Sequence, residues 1–192
     1  MFGILPTQQY PACQDWARPI NSGFMKMEEQ TKDYPETFYA FVEIAEGSDI
    51  KYEYKEDIEA IVADRFLFTS MAYPTNYGFI MGTLAKDNDP LDVLIVASKR
   101  IMPGTVIKCR AVGKAVMKDE EGQDNKIIAV PVEKVDPYSS LYTDIKDVPE
   151  ALKQKLKHFF EHYKELEKGK FMKFESFEGK ESAMAELKES RK

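Results

Sequence analysis

Two cysteines and two histidines in 192 residues leave little material for a disulfide framework or a thiol–imidazole metal centre. Cys13 and Cys109 together point to a reduced, cytoplasmic protein. No apolar run approaches the length of about 18 residues that a membrane-spanning helix needs. The opening Met1-Phe2-Gly3-Ile4-Leu5-Pro6 lacks the basic region of a signal peptide and is not Arg-rich like a transit peptide. A Gly-rich phosphate loop, a Gly-x-Ser-x-Gly elbow and a His-Glu-x-x-His pair are all missing. An excess of positive charge is missing too: 33 acidic against 27 basic residues give a net charge of −6 and a pI near 5.2, which count against a nucleic-acid-binding face.

What is present is core material. Hydrophobic residues at 43% and aromatics at 12% suit a globular protein, and the length suits one domain. Residues 1–35 carry Pro6, Pro11, Pro19 and Pro35 without a sustained period, and read as an N-terminal extension with apolar anchors at Trp16 and Phe24. Residues 36–178 are the expected core, and 179–192 a short terminal helix and tail. The β-favouring run Phe38–Ile44 is followed by turn residues 46–49 and by the strictly alternating Ile50–Lys55. Further strands are expected at 91–97, at 105–117 with a bulge at Gly113, at 125–131 as its hairpin partner, and near 171–177. Leu152, Leu156, Phe159, Tyr163 and Leu166 recur at helical spacing, with Asp147 and Pro149 as start signals and Gly169 as the stop. Curved strands with one long helix suggest an α+β, mainly β chain: a small closed barrel with a packed helix.

Chemistry concentrates between residues 87 and 92. Asp87, Asp89 and Asp92 fall within Asp-Asn-Asp-Pro-Leu-Asp, directly before the buried-looking run Val93-Leu94-Ile95-Val96. Like charges about 4 Å apart repel by roughly 4 kcal/mol at an effective dielectric of 20, so such a cluster beside a core calls for cations. Hard oxygen ligands favour Mg²⁺, Mn²⁺ or Ca²⁺. The bland alternative is a solvated acidic turn. An EF-hand is excluded, because its fifth and sixth positions are here Leu91 and Asp92. Pro90 keeps the motif out of a helix interior or central strand.

A second acidic set, Asp119, Glu120, Glu121 and Asp124, sits on the expected hairpin tip around Gly122. Lys51, Arg65, Lys126 and Lys164, with Tyr73, Tyr77 and Tyr163, are suitable donors to phosphate oxygens. Singly each could be a surface charge or a packed ring; Arg65, Tyr73 and Tyr77 gain weight from lying in one short segment. His158 and His162, one helical turn apart, suit packing or a subunit contact.

Together these residues resemble the family I soluble inorganic pyrophosphatases in their short bacterial form. The acidic hexapeptide followed by Val93 matches that family's signature. Lys51-Tyr52-Glu53, Asp64-Arg65-Phe66, Tyr73-Pro74-x-Asn76-Tyr77-Gly78, Asp119 to Lys126 and His158 to Lys164 follow in family order over roughly residues 37–178. Ala45 departs from it, standing where the family usually has proline. The resemblance implies an OB-like five-stranded barrel, several Mg²⁺ ions (with Mn²⁺ or Zn²⁺ as substitutes) and hydrolysis of pyrophosphate by a metal-activated water in a cytoplasmic homohexamer of two trimers. It further implies Asp87, Asp92 and Asp124 as ligands of the tightest metal and Asp119 with Asp124 as ligands of ions arriving with substrate. Glu53 and Glu43 become additional metal contacts, and Asp89 the general base. Lys51, Arg65, Tyr77, Lys126, Tyr163 and Lys164 become phosphate donors, with Tyr73 a supporting hydroxyl.

Two rival readings stand beside it. A non-catalytic OB-type module could use a structural cation, but it would need ligands only and not the full donor set. Another phosphoanhydride could be the substrate, yet no base- or sugar-recognition signature accompanies the lysines.

Overall fold

The computed structural model describes residues 30–85 and 88–192. Asp87, Cys13 and the anchors Trp16 and Phe24 lie outside the described residues. The chain forms strands β1 (Phe38–Ile44), β2 (Ile50–Lys55), β3 (Ala60–Phe66), β4 (Asn76–Ile80), β5 (Asp92–Ile95), β6 (Val106–Asp119) and β7 (Lys126–Pro131). Helix α1 (Glu150–His162), strand β8 (Met172–Gly179) and helix α2 (Lys180–Glu189) complete it.

Five strands close on themselves in the order β1-β4-β5-β7-β6, with β6 pairing back to β1 through Phe38↔Cys109 and Phe41↔Val106. β8 attaches to the far half of β6, and β2 and β3 form a separate hairpin. The ring meets the expectation of an OB-like closed barrel. β6 must bend to serve both β1 and β8, and its register slips between Ala111 and Gly113. A Cβ at Gly113 would stand 2.6 Å from the Glu178 carbonyl oxygen and 2.8 Å from Ile145, so the expected bulge depends on glycine.

Alternation sorts the core into two faces. Phe38, Ala40, Val42, Ile80, Val93, Ile95, Cys109, Ala111, Ile127 and Ala129 form one buried cluster drawn from all five ring strands, joined by Ala183 and Leu187 of α2. Leu94, Val96, Val112, Ile128 and Val130 face the other way, onto Leu156, Phe159 and Phe160 of α1. Covering each such phenylalanine contributes about 1.5–3 kcal/mol. β5 is apolar on both faces because it pairs antiparallel with β4 and parallel with β7, the one parallel ladder of the ring.

Two strands escaped the sequence reading. In β3 the charged Asp64-Arg65 breaks the alternation. In β4 Asn76 and Gly78 disguise a central strand. Asn76 is fully buried, accepting the Ile101 and Glu46 backbone N–H groups at 2.8 and 3.2 Å and donating to the Lys99 carbonyl at 3.1 Å. At Gly78 a Cβ would lie 1.9 Å from the Phe41 carbonyl oxygen, so only glycine lets β1 and β4 meet.

One expectation needs correction. Helix α1 stops at His162 rather than running towards Gly169, and Leu166 is 63% exposed instead of joining the apolar stripe. Beyond Tyr163 the backbone tightens into bonds three residues apart: Glu167 N–H to Lys164 O at 2.8 Å and Lys170 N–H to Glu167 O at 3.2 Å. A period of three replaces 3.6, and Lys164, Glu167 and Lys170 thereby share one face.

Candidate active site

That face borders a cavity of about 690 Å³ at one end of the ring. Every candidate among the described residues lines it. The acids are Glu43, Glu53, Asp89, Asp92, Asp119 and Asp124, and the donors are Lys51, Arg65, Tyr73, Tyr77, Lys126, Tyr163 and Lys164. Asp87 lies outside the described residues.

β5 and β7 supply the floor. Their parallel register, Val93↔Ile127, sets Asp92 beside Lys126 at the start of each strand. The Lys126 ammonium, 3% exposed, donates to Asp92 and to Asp124, the latter at 2.5 Å. The two acidic sets, 32 residues apart in sequence, thus share one cation. Burial alone would lower the lysine's pKa, but Asp92 and Asp124 hold it well above its ordinary value. Burial, then Asp92, also push Asp124 above the usual carboxylate range, against the pull of Lys126.

Glu43 reaches in from β1. Its carboxylate is 8% exposed and accepts the Tyr54 backbone N–H at 2.7 Å, tying β1 to β2. Burial, reinforced by Asp92 and Glu53, raises its pKa to about 7. Glu53 behaves oppositely: burial pushes upward, but hydrogen bonds from Lys51 and Lys55, both at 2.5 Å, bring it down to about 2.

The far wall repeats this pairing. Arg65 reaches Asp64 at 2.5 Å and Glu167 at 3.0 Å. Lys164 meets Asp119 at 3.4 Å and Glu120 at 3.9 Å, and Lys170 closes on Glu120. Glu167 and Lys170 were not anticipated; the spacing Lys164-x-x-Glu167-x-x-Lys170 was a signal only for a three-residue period. Tyr73 and Tyr163 pack on Phe159, Tyr163 stacking at 4.9 Å between centroids, and Tyr77 packs edge-on against Tyr73. Burial raises all three phenols, which keeps them neutral hydroxyl donors.

His158 and His162, expected in packing or a subunit contact, have their rings 4.6 Å apart and do not line this cavity.

Among the described residues no three acidic, histidine or cysteine groups already converge as a cage for an ion, and Lys126 spans Asp92 and Asp124. The donor set nonetheless fits hard divalent cations. It is all oxygen, and Glu43 and Asp124 are held above their ordinary range by burial and by neighbouring acids, which a dication relieves. Cations paired with carboxylates suit an exchange: metal ions take the carboxylates, and the released ammonium and guanidinium groups take an anion.

A closed β-ring ending in interleaved acids and bases is the arrangement of a hydrolase for a compact polyanion. A family description of inorganic pyrophosphatases matches residues 40–192. The inorganic pyrophosphatase of Thermoplasma volcanium is 60% identical over 162 residues, 84% of this chain and 96% of its own. That of Escherichia coli K12 is 48% identical over 157 residues, 81% of this chain and 89% of its own. Among solved structures, the inorganic pyrophosphatase of Thermus thermophilus aligns with a TM-score of 0.82 at 41% identity, covering 85% of this chain and 95% of its own. The chain belongs to the inorganic pyrophosphatase family.

Proposed function

We propose that this chain hydrolyses inorganic pyrophosphate to two orthophosphates with Mg²⁺ as its working metal, and that the residues named above carry the reaction. The observation that supports this most is the one cavity that gathers the six candidate acids and the seven candidate donors. Asp92, Asp124 and Asp119 would hold the metal ions, with Glu53, Glu43 and, from the sequence, Asp87 as further contacts. Bound Mg²⁺ would acidify water and neutralise phosphate charge.

The chain's own groups do the rest. Asp89, on the loop entering β5, takes the proton of the attacking water. Lys51, Arg65, Lys126 and Lys164 receive the oxygens of the two phosphoryl groups, and the neutral hydroxyls of Tyr77 and Tyr163 donate to them, with Tyr73 packed behind. Phosphoryl transfer is governed by positioning and charge stabilisation, which a rigid ring with preset donors supplies.

The same reading covers one domain over residues 1–192, a cytoplasmic location and a homohexamer. His158 supports the last by lining a shallow hollow of about 410 Å³ with Met71, Ala72, Pro74 and Phe159, its ring 4.6 Å from that of His162. No helix among the described residues is long and apolar enough to cross a membrane.

Phosphate release from pyrophosphate, with Mg²⁺ or with chelator and with ATP as competing substrate, tests the function. Rapid Mg²⁺-dependent release with little from ATP is expected. A folded protein that releases none with any divalent metal overturns it.

A further inference from the structure

The loop carrying Asp89 leaves β4 at Ile80 and rejoins the ring at Leu91. The β4–β5 register pairs Gly78 with Val93 and Phe79 with Asp92, so Ile80 and Leu91 are the next pair outward. A regular antiparallel pair at this point exchanges two backbone bonds. Here the Ile80 N–H donates to the Leu91 carbonyl at 2.8 Å. The return bond is replaced by a side chain: the Leu91 N–H donates to the Thr83 hydroxyl at 3.0 Å, and that hydroxyl donates to the Ile80 carbonyl at 2.6 Å.

Thr83 cannot easily move away from this position. Its residue is 2% exposed. On its other side the backbone bridges to Arg191, with Leu84 N–H bonded to Ser190 O at 2.7 Å and Lys192 N–H to Gly82 O at 3.1 Å. Met81 N–H is held by Tyr39 O at 3.0 Å. The hydroxyl is thus wedged into the neck of the loop, one residue from Asp92 and on the strand end that leads from Asp89.

We propose that Thr83 is a positioning residue for the site: its hydroxyl sets the separation of the loop's two ends and hence where Asp92 and Asp89 point. This rests on the reading of those residues as metal ligand and base. A methyl of the same shape keeps the wedge but leaves Leu91 N–H and Ile80 O without a partner, so the neck shifts to satisfy them and moves both carboxylates. Displacement of catalytic groups by about 1 Å costs on the order of 100-fold in rate, and loss of a partner that orients metal ligands about 10- to 100-fold in affinity.

The test is a graded series at position 83 in the full-length protein. Mg²⁺ affinity is read by calorimetry, and kcat and KM for pyrophosphate separately. T83V is expected to weaken Mg²⁺ binding about 10-fold or more and to lower kcat more than it raises KM. T83S, which restores the hydroxyl, returns both close to the parent values, and T83C falls between. S139A is the stability control: it removes another buried hydroxyl, from the Asp136 cluster, and is expected to lower the melting temperature while leaving Mg²⁺ affinity unchanged. Should T83V fail to fold, the contrast of T83C with T83S reads the same effect. Parent-like Mg²⁺ affinity and kcat in T83V, or in T83C where that variant is the one read, overturn the positioning role alone. A parent protein that neither binds Mg²⁺ nor releases phosphate overturns the reading of the site instead.

Discussion

Glu43 and Asp136 are buried almost equally, at 8% and 7% exposure, yet they titrate in opposite directions. Asp136 accepts from the Ser98 backbone at 2.7 Å, the Ser139 hydroxyl at 2.5 Å, the Ser98 hydroxyl and the Tyr138 backbone, both at 3.1 Å. Burial works against its charge, but these bonds overcome it and bring the pKa to about 2. Glu43 has only one backbone donor, and burial, reinforced by two acidic neighbours, raises its pKa to about 7. Asp136 fastens the loop after β7 to the residues after β5. Glu43 belongs to a cavity where carboxylates crowd one another and its own charge is answered by a single backbone donor. The lesson is that burial raises a carboxylate where few donors answer it and like charge stands beside it, and not where a full set of hydrogen bonds does.

If that contrast holds, substitutions on the two sides should fail in different ways. The largest effect is expected at Asp89. Replacement by asparagine removes the proton acceptor but keeps the shape, so D89N should retain Mg²⁺ binding and melting temperature while losing about 100-fold or more in turnover. Normal turnover would remove Asp89 from the base role. On the satisfied side, D136A strands several buried donors and should cost about 3 kcal/mol of stability, or roughly 2–4 °C of melting temperature per kcal/mol, with kcat unchanged. A fall in kcat without a loss of stability would erase the distinction between the two regions.

The smallest effect concerns pH. With a folded-state pKa of about 7 against an ordinary 4.5, Glu43 keeps a proton that the unfolded chain has released over that interval. The stability of the metal-free protein should therefore decline as pH rises from about 4.5 to about 7, and level off above. E43Q retains an acceptor for the Tyr54 N–H and loses the charge. It should flatten that decline by about 1–2 kcal/mol once water in the cavity is allowed for. Melting curves in chelator across the interval measure it; an unchanged slope would assign the decline to another group.

Much of the site was legible because its chemistry is local in sequence. Asp89-Pro90-x-Asp92 before a run apolar on both faces announces carboxylates at a core's edge, and the donors between Arg65 and Tyr77 lie close along the chain. The same motif also holds residues whose purpose is packing. Asn76 stitches two loops together, and Gly78 clears the way for the Phe41 carbonyl, so matching them says nothing about catalysis. What stayed hidden was governed by tertiary pairing. β4 tolerates Asn and Gly because neighbouring strands supply its order, which local propensity cannot register. Glu167 and Lys170 were concealed by assuming that the helical period continued past Tyr163. The approach of Asp92 to Asp124 depends on strand order in the ring, which spacing along the chain does not encode.

The parallel pairing of β5 with β7 also carries a consequence for how the chain emerges and folds. The acidic segment is synthesised more than thirty residues before Lys126, with the whole of β6 between them. Until the β6–β7 hairpin swings back and closes the ring, Asp92 has no lysine beside it. Pairing β5 with β7 is therefore a non-local step, which slows folding, and also the step that quenches this negative charge. In the interim this charge is balanced only by the ions of the surrounding medium, so salt acts on the unfinished ring more than on the closed one.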